Sequence, residues 1–215
     1  VRKNTLEDFS NVNNSGKIAM KLDEDDKIIG VKICKEDEDI LLSTQLGKCI
    51  RFKSKKLRLF KGRSSKGIKG IQLADKDKVI SLSIIKNSKI DPKTISKDKK
   101  IKNGLDKFIL SVSENGYGKR TSYLDYRVTN RGGKGITGIL TTPKNGKVID
   151  TFVVQENDQI ILVSDKGQII RININQVRIA GRTTQGVSIF KIPSEDNIVN
   201  VSRVPDMDEN NLNSE

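Results

Sequence analysis

The chain has 215 residues and no histidine, and it carries a formal charge of +13 from 40 basic and 27 acidic residues. A field of this sign attracts polyanions, and nucleic acid is the first candidate. No apolar run approaches the about 18 residues of a membrane span, and no segment resembles a signal peptide. We therefore expect no membrane partner and a cytoplasmic location. On charge alone an acidic membrane surface would be the second candidate, and a basic protein that is merely soluble is the least specific interpretation.

Catalytic and metal chemistry find little support in the composition. Without histidine, Ser-His-Asp and Cys-His sets are excluded, and the chain has no GxxxxGK[ST] phosphate loop. Cys34 and Cys49, the only cysteines, lie in no CxxC motif. We interpret them as apolar strand residues in a reducing compartment, with a bridge between them as the less favoured alternative. No cofactor or metal is expected in this chain.

The first predicted unit is incomplete. Val1-Arg2-Lys3 resembles the end of later strands that finish in arginine, so Arg2 aligns with those arginines and the opening hairpin strand is expected to be absent. Gly16-Lys17-Ile18 is the first copy of a marker described below. The acidic run 23–26 predicts a solvated turn, and a divalent ion there is the less favoured alternative.

Three β-hairpins are predicted next, each with two apolar strands and a turn that ends in glycine. They span 39–51, 107–120 and 158–171, and their turn glycines are Gly47, Gly116 and Gly167. Glycine suits the left-handed conformation that such turns require.

A glycine before an apolar residue follows each hairpin and opens another strand. These markers are Gly67-Ile68, Gly135-Ile136 and Gly186-Val187. Counted from Gly16, successive marker glycines are 51, 68 and 51 residues apart, and the longer interval contains a Lys/Asn/Asp/Ser-rich stretch at about 86–106 that predicts a loop insertion.

Units of about 50 residues with four short strands and no helical period are typical of a propeller-like array. We predict an all-β fold of three full units and one partial unit over residues 1–203. Residues 204–215 contain four acids and no base, and predict an acidic, disordered tail. An unrelated β-sandwich with coincidental periodicity is the alternative.

Two basic positions recur with the repeat. The strand position, four residues after the turn glycine, holds Arg51, Arg120 and Arg171, and the loop position, four residues before the marker glycine, holds Arg63, Arg131 and Arg182. Small residues beside a loop arginine let a phosphate approach both the guanidinium and the backbone N–H groups. Regular spacing of such loops suits duplex DNA on a curved path without base readout.

The strand arginines have a second interpretation, as structural partners of acids in a neighbouring unit. The predicted DNA-contacting set includes both positions and nearby cations: Arg51, Lys53, Lys55, Arg63, Lys66, Lys69, Lys119, Arg120, Arg131, Lys134, Arg171, Arg178 and Arg182.

Several segments resemble the C-terminal domain of DNA gyrase A. They are Gly47-Lys-Cys-Ile-Arg-Phe52, Lys66-Gly-Ile-Lys-Gly-Ile71, Glu114-Asn-Gly-Tyr-Gly-Lys-Arg-Thr121 and Ile179-Ala-Gly-Arg-Thr-Thr-Gln-Gly-Val187. The resemblance runs from Val1 to about Pro205. It implies a β-pinwheel, of which about four of six blades are present, with strands exchanged between blades and a basic rim that wraps double-stranded DNA.

The resemblance also implies the context of the module. The parent enzyme is expected to be an A2B2 topoisomerase, in which gyrase B and the gyrase A cleavage core are the partners. ATP and Mg²⁺ would be used elsewhere, to drive negative supercoiling. The family's catalytic tyrosine lies in the upstream cleavage region, so Tyr117, Tyr123 and Tyr126 inherit no such role, and this chain is expected not to be catalytic.

One family motif is matched only in part. Arg131-Gly-Gly-Lys-Gly135 matches the end of the family's Gln-Arg-Arg-Gly-Gly-Lys-Gly box, but Thr129-Asn130 precedes it. We interpret it as an in-register relative of the box. The corresponding domain of topoisomerase IV is therefore one alternative, and a propeller that binds a protein in its central channel is another.

Overall fold

The computed structural model describes residues 1–86, 107–193 and 195–206. Within these ranges the regular elements are β-strands and 3-10 helices, so the predicted all-β fold is confirmed. The strands are β1 (Asp39–Thr44), β2 (Lys48–Lys53), β3 (Val79–Ile85), β4 (Phe108–Ser113), β5 (Tyr117–Ser122), β6 (Ile136–Thr137), β7 (Val148–Val154), β8 (Gln159–Ser164), β9 (Ile169–Asn173), β10 (Val187–Ser188) and β11 (Ile198–Val204). The 3-10 helices are η1 (Glu7–Phe9), η2 (Ser54–Lys56), η3 (Tyr123–Asp125) and η4 (Ile174–Gln176).

Two predicted segments lie largely outside the described residues. Of the insertion at about 86–106, only Lys86 is described, and of the tail at 204–215, only residues 204–206. No helix in the described part of the chain has the length and apolar character needed to cross a membrane.

The strands form three antiparallel sheets. Their orders are β3-β1-β2-β6, β10-β5-β4-β7 and β11-β8-β9. Each sheet contains one predicted hairpin and the next long strand of the same unit. The short fourth strand belongs to the following unit, because β6 pairs with β2 and β10 pairs with β5. Successive units are therefore linked by strand exchange.

The hairpin turns follow the glycine prediction. Gly47, Gly116 and Gly167 have φ angles of 80°, 72° and 84°. The first two also lie against the following unit, since a Cβ on Gly47 would be 2.2 Å from Ile139 O and one on Gly116 would be 2.3 Å from Phe190 O. These two glycines thus allow both the left-handed turn and the close contact with the next unit.

The marker glycines make the converse contact, against the preceding unit. An added Cβ would lie 2.4 Å from Val1 O at Gly67, 2.4 Å from Cys49 O at Gly135 and 2.7 Å from Gly118 O at Gly186. Cβ atoms do not approach a carbonyl oxygen this closely, so any larger residue would push the exchanged strand away.

Apolar clusters lie on both faces of the first two sheets. In β1, Ile40 and Leu42 belong to one cluster, whereas Leu41 belongs to another that includes Ile109 of β4. All six residues of β1 and of β4 are buried for this reason. Strands that are covered on both faces have nearly continuous runs of apolar residues in their sequence. In β8 only alternate residues are buried, because no further sheet of the described chain covers its second face.

The first unit departs from the predicted alignment by one residue. Lys3 bridges Leu59 in the same parallel manner in which Arg51 bridges Val128, so Lys3 and not Arg2 is the counterpart of Arg51. Residues 11–35 form no regular strand. Val31 is 79 % exposed and Ile33 is 76 % exposed, since this unit has no hairpin of its own in the described chain to cover them.

Alanine at Gly47 and at Gly167 separates turn strain from strand exchange. Both positions need a left-handed backbone, so each substitution should cost about 1–2 kcal/mol of unfolding free energy. Gly47→Ala should cost at least about 1 kcal/mol more because it also collides with Ile139 O, whereas a Cβ on Gly167 meets nothing within 4 Å. Urea unfolding of the two variants measures the difference, and equal losses would contradict the close-approach argument.

The two thiols should differ in reactivity. Both cysteines are free; Cys34 is half-buried and Cys49 is buried. Burial raises the pKa of the Cys49 thiol to about 12, and the thiolate is the reactive species. At pH 8 an aromatic disulfide reagent should titrate one thiol quickly and the second only after denaturation. Cys34→Ser should abolish the fast phase, and two fast thiols would show that the β2 core is open.

Candidate nucleic-acid interface

Arg51, a predicted DNA contact, lies in the interior. It is 6 % exposed, and its guanidinium forms an ion pair with Asp39 of the same unit at 2.8 Å. Its Nη1 donates to Tyr123 O at 2.9 Å and Tyr126 O at 3.1 Å, both around η3 of the following unit. The side chain therefore holds two units together and is not on the surface that a duplex could touch.

Arg120 repeats this arrangement one unit later. It is 4 % exposed, forms an ion pair with Glu156, and donates to Val177 O at 2.6 Å and Asn175 O at 3.2 Å, around η4. Its guanidinium also lies 5.0 Å from the centre of the Phe108 ring. The structural interpretation of the strand arginines applies to Arg120 as it does to Arg51.

The other two strand cations fit the same series. Lys3 forms an ion pair with Glu36 at 2.7 Å and donates to Ser54 O at 3.3 Å, at the start of η2. Arg171 is exposed, and its Nε donates to Gln159. Arg171 remains at the surface because no further unit of the described chain covers it.

Lys119, also predicted to contact DNA, is fully buried at 0 % exposure. Its ammonium donates to Gly181 O at 2.7 Å, Arg182 O at 2.6 Å and Thr184 O at 3.0 Å, all in the loop of the following unit. Desolvation, with a smaller contribution from the Arg182 charge, lowers the pKa of Lys119 to about 8, and Cys49 acts in the opposite direction. Lys119 therefore supports the loop from inside.

The loop arginines lie at the surface and share one anchor. Each donates Nη1 to the carbonyl two residues beyond the marker glycine of the preceding unit: Arg63 to Ile18 O at 3.2 Å, Arg131 to Lys69 O at 3.1 Å and Arg182 to Thr137 O at 2.9 Å. Arg131 is exposed, and the other two are half-buried. The repeat thus brings the three guanidinium groups to equivalent surface positions, and the anchors are a feature that the sequence pattern did not predict.

A third series of recurring arginines was not recognised from the sequence. Arg58, Arg127 and Arg178 each lie two residues beyond a 3-10 helix, and all three are exposed. Each follows the strand arginine by seven residues. The predicted contact set contained only Arg178, although that constant spacing was available in the sequence as a signal for all three.

The positive charge is uneven among the units. Residues 53–69 contain eight cations and no acid, whereas the equivalent segment 122–137 has three cations and one acid, and 173–188 has two cations. The lysines of the predicted set in the first two segments are exposed: Lys53, Lys55, Lys66, Lys69 and Lys134. Lys66 forms an ion pair with Asp23, in which both side chains are more than half exposed. Such a pair contributes little and can be replaced by another anion.

Metal-ligand clusters and the three tyrosines were the remaining candidates for chemistry. No group of three or more Cys, Asp or Glu side chains that could hold a metal occurs among the described residues. Tyr123 and Tyr126 are buried in the cluster between the first two sheets, and Tyr117 lies under Lys144, 5.7 Å from its ring centre. Tyr123 and Tyr126 thus contribute to the packing between the sheets, and Tyr117 contacts a lysine.

A family model described as the DNA gyrase C-terminal domain, a β-propeller, matches residues 2–35, 38–86, 107–155 and 158–205. The chain belongs to this family. The four matched segments correspond to the partial unit and the three full units of the repeat, and residues 87–106, where the insertion is predicted, are not matched.

DNA gyrase A proteins are similar in sequence to this chain along its whole length. DNA gyrase A of Rickettsia typhi is 38 % identical over 100 % of this chain and 27 % of its own length. DNA gyrase A of Escherichia coli K12 is 33 % identical over 100 % of this chain and 22 % of its own. The chain therefore spans about a quarter of the length of these relatives.

Solved structures agree on the fold. A DNA gyrase A C-terminal domain superposes with a TM-score of 0.75 at 27 % identity, covering 94 % of this chain and 61 % of that one. A DNA topoisomerase IV C-terminal domain superposes with a TM-score of 0.80 at 20 % identity, covering 95 % and 58 %. The β-pinwheel prediction, with strands exchanged between successive units, is confirmed.

Alanine at Arg51 and at Arg171 tests the difference between a buried and an exposed strand arginine. Arg51→Ala removes the ion pair of buried Asp39 and should cost about 3–5 kcal/mol of unfolding free energy. Arg171→Ala, at the equivalent exposed position, should change it by less than about 0.5 kcal/mol. Urea unfolding measures both values. Similar losses would show that Arg51 does not hold the units together.

Proposed function

We propose that this chain binds double-stranded DNA as the wrapping module of a DNA gyrase A protein. The observation that carries the proposal is the recurrence of surface arginines at equivalent loop positions in three successive units, one of them exposed and two half-buried. Such a series offers phosphate contacts at regular intervals along one path. Contacts of this kind hold a curved duplex without reading its bases.

The contact set proposed here is the exposed or half-exposed part of the basic series. Arg51, Lys119 and Arg120 leave it because they are buried, and Arg58 and Arg127 join it because they are exposed counterparts of Arg178. The set is Lys53, Lys55, Arg58, Arg63, Lys66, Lys69, Arg127, Arg131, Lys134, Arg171, Arg178 and Arg182. Segment 53–69 is expected to make the most contacts, since it has eight cations and no acid.

The wider role follows from the relatives and is proposed with the binding function. The parent protein would be a DNA gyrase A, acting in the cytoplasm with gyrase B and the gyrase A cleavage core in an A2B2 enzyme. ATP and Mg²⁺ would be used elsewhere in that enzyme, and this chain would contribute wrapping and no catalytic group. The topoisomerase IV domain is the alternative, and the gyrase relatives at 38 % identity oppose it.

Salt-dependent binding to short duplexes tests the proposal. The wild-type chain should bind duplexes of unrelated sequence with similar affinity at low salt. Lys53→Gln, Lys55→Gln and Lys69→Gln together should flatten the plot of log affinity against log salt by about 0.9 for each phosphate that is no longer neutralised. Fluorescence anisotropy across a salt series measures both quantities.

A charge-matched triple variant is the control. Lys32, Lys147 and Lys166 are exposed lysines outside the basic segments, and their replacement by glutamine should leave the slope nearly unchanged. Equal flattening in both triple variants would mean that charge acts only as a diffuse field. Absence of binding at low salt would refute the DNA-binding role and favour a protein partner, and strong dependence on base sequence would refute backbone wrapping.

A further inference from the structure

Two of the three basic loops are organised around a cation from the preceding unit. The ammonium of Lys119 binds the carbonyls of Gly181, Arg182 and Thr184, at 2.6–3.0 Å, and also lies 3.3 Å from Thr184 Oγ1. Three hydrogen-bond donors of one ammonium thus meet acceptors of a single short loop. A buried ammonium needs such acceptors to offset the loss of water.

Arg2 makes the same contacts in the first unit. Its guanidinium donates to Gly62 O, to Arg63 O at 2.8 Å and to Ser65 O at 2.6 Å. Counted back from the marker glycine of each loop, these carbonyls are the counterparts of the three that Lys119 binds. The corrected alignment of the first unit makes Arg2 the counterpart of Lys119. Two different cations therefore shape two equivalent loops in one way.

The inward carbonyls determine the direction of the N–H groups. In a trans peptide the C=O and N–H bonds point in opposite directions, and no cis peptide bond occurs in the described chain. The N–H groups of Arg182, Thr183 and Gln185 therefore point away from the Lys119 ammonium. Several backbone N–H groups presented on one side of a loop form a binding site for an anion such as phosphate.

The middle loop is built differently. Ile50 occupies the position of Lys119 and Arg2, so this loop has no cation beneath it from that position. It contains Gly132 with φ of 82°, whose N–H donates to Gly70 O at 2.6 Å instead of facing outward. The N–H of Gly132, the counterpart of Thr183, is thus used inside the fold in the loop that has no cation beneath it from this position.

We propose that Lys119 is a positioning residue, which holds loop 181–185 so that the N–H groups of Arg182, Thr183 and Gln185 bind a backbone phosphate of duplex DNA. Arg2 has the same role for loop 62–66. The identity of the ligand rests on the proposed DNA-binding function, whereas the support of the loop by Lys119 does not.

Lys119→Met and Lys119→Arg test the role in the full 215-residue chain. Methionine keeps the apolar stem and removes the charge, whereas arginine keeps a cation that Arg2 shows to fit these carbonyls. Lys119→Met should weaken duplex affinity about tenfold, the loss of one hydrogen-bonded phosphate site. Lys119→Arg should retain most of the affinity.

The salt slope separates positioning from direct contact. The N–H groups are uncharged, so their loss should lower the affinity of Lys119→Met without changing the slope. A slope reduced by about 0.9 would mean that Lys119 itself neutralises a phosphate and would overturn the proposal. Wild-type affinity in Lys119→Met would overturn it as well.

Amide measurements keep the test independent of DNA binding and of folding defects. Without DNA, amide hydrogen exchange in Lys119→Met should rise at residues 181–185 and should not rise in β4 and β8. Unchanged exchange in the loop would overturn the positioning role, even if the wild type bound no duplex. If Lys119→Met does not fold, the NMR chemical shifts of the wild-type backbone amides provide the test. Addition of a duplex should shift Arg182, Thr183 and Gln185, and their constancy in a duplex-bound chain would overturn the proposal.

Discussion

The approach of a carbonyl oxygen of one unit to a glycine of the next is the constraint on which this fold depends. At Gly47, Gly116, Gly135 and Gly186 an added Cβ would lie 2.2–2.7 Å from such an oxygen. Only a residue without a side chain allows the exchanged strands β6 and β10 to reach the sheet of the preceding unit. Strand exchange in turn brings successive sheets face to face, so that apolar clusters form between them and β1 and β4 are buried on both sides.

The same linkage divides the positive charge into two classes. Three strand cations point into the junction, where Arg51 and Arg120 bind carbonyls around the next 3-10 helix and Lys119 binds those of the next loop. The arginines on the loops use one donor to hold the preceding unit and present the rest of the guanidinium at the surface. Buried charges of the first class are tolerated because carboxylates or several carbonyls surround them. The exposed cations of the second class are the ones that a polyanion can contact.

Much of the fold was predictable because glycine and apolar periodicity are local signals. The turns at Gly47, Gly116 and Gly167, the markers and the all-β class all follow from such signals. The alignment of Arg2 with Arg51 was wrong by one residue, because the described residues include no turn glycine ahead of Arg2 from which to count the register. Only the parallel bridge between Lys3 and Leu59 corrects it. The exchange by which the following unit supplies the short fourth strand of a sheet was implied by the family resemblance and not by the residues themselves.

The sequence by itself determined which positions are basic and how often they recur, since a repeat is visible in one dimension. The tertiary structure decided which of those cations face solvent. Arg51 and Arg171 occupy equivalent strand positions with the same residue, yet one is buried and the other is exposed, because within the described residues a following unit covers Arg51 and none covers Arg171. Burial depends on what packs from a distant part of the chain, and the local sequence around an arginine does not contain that information.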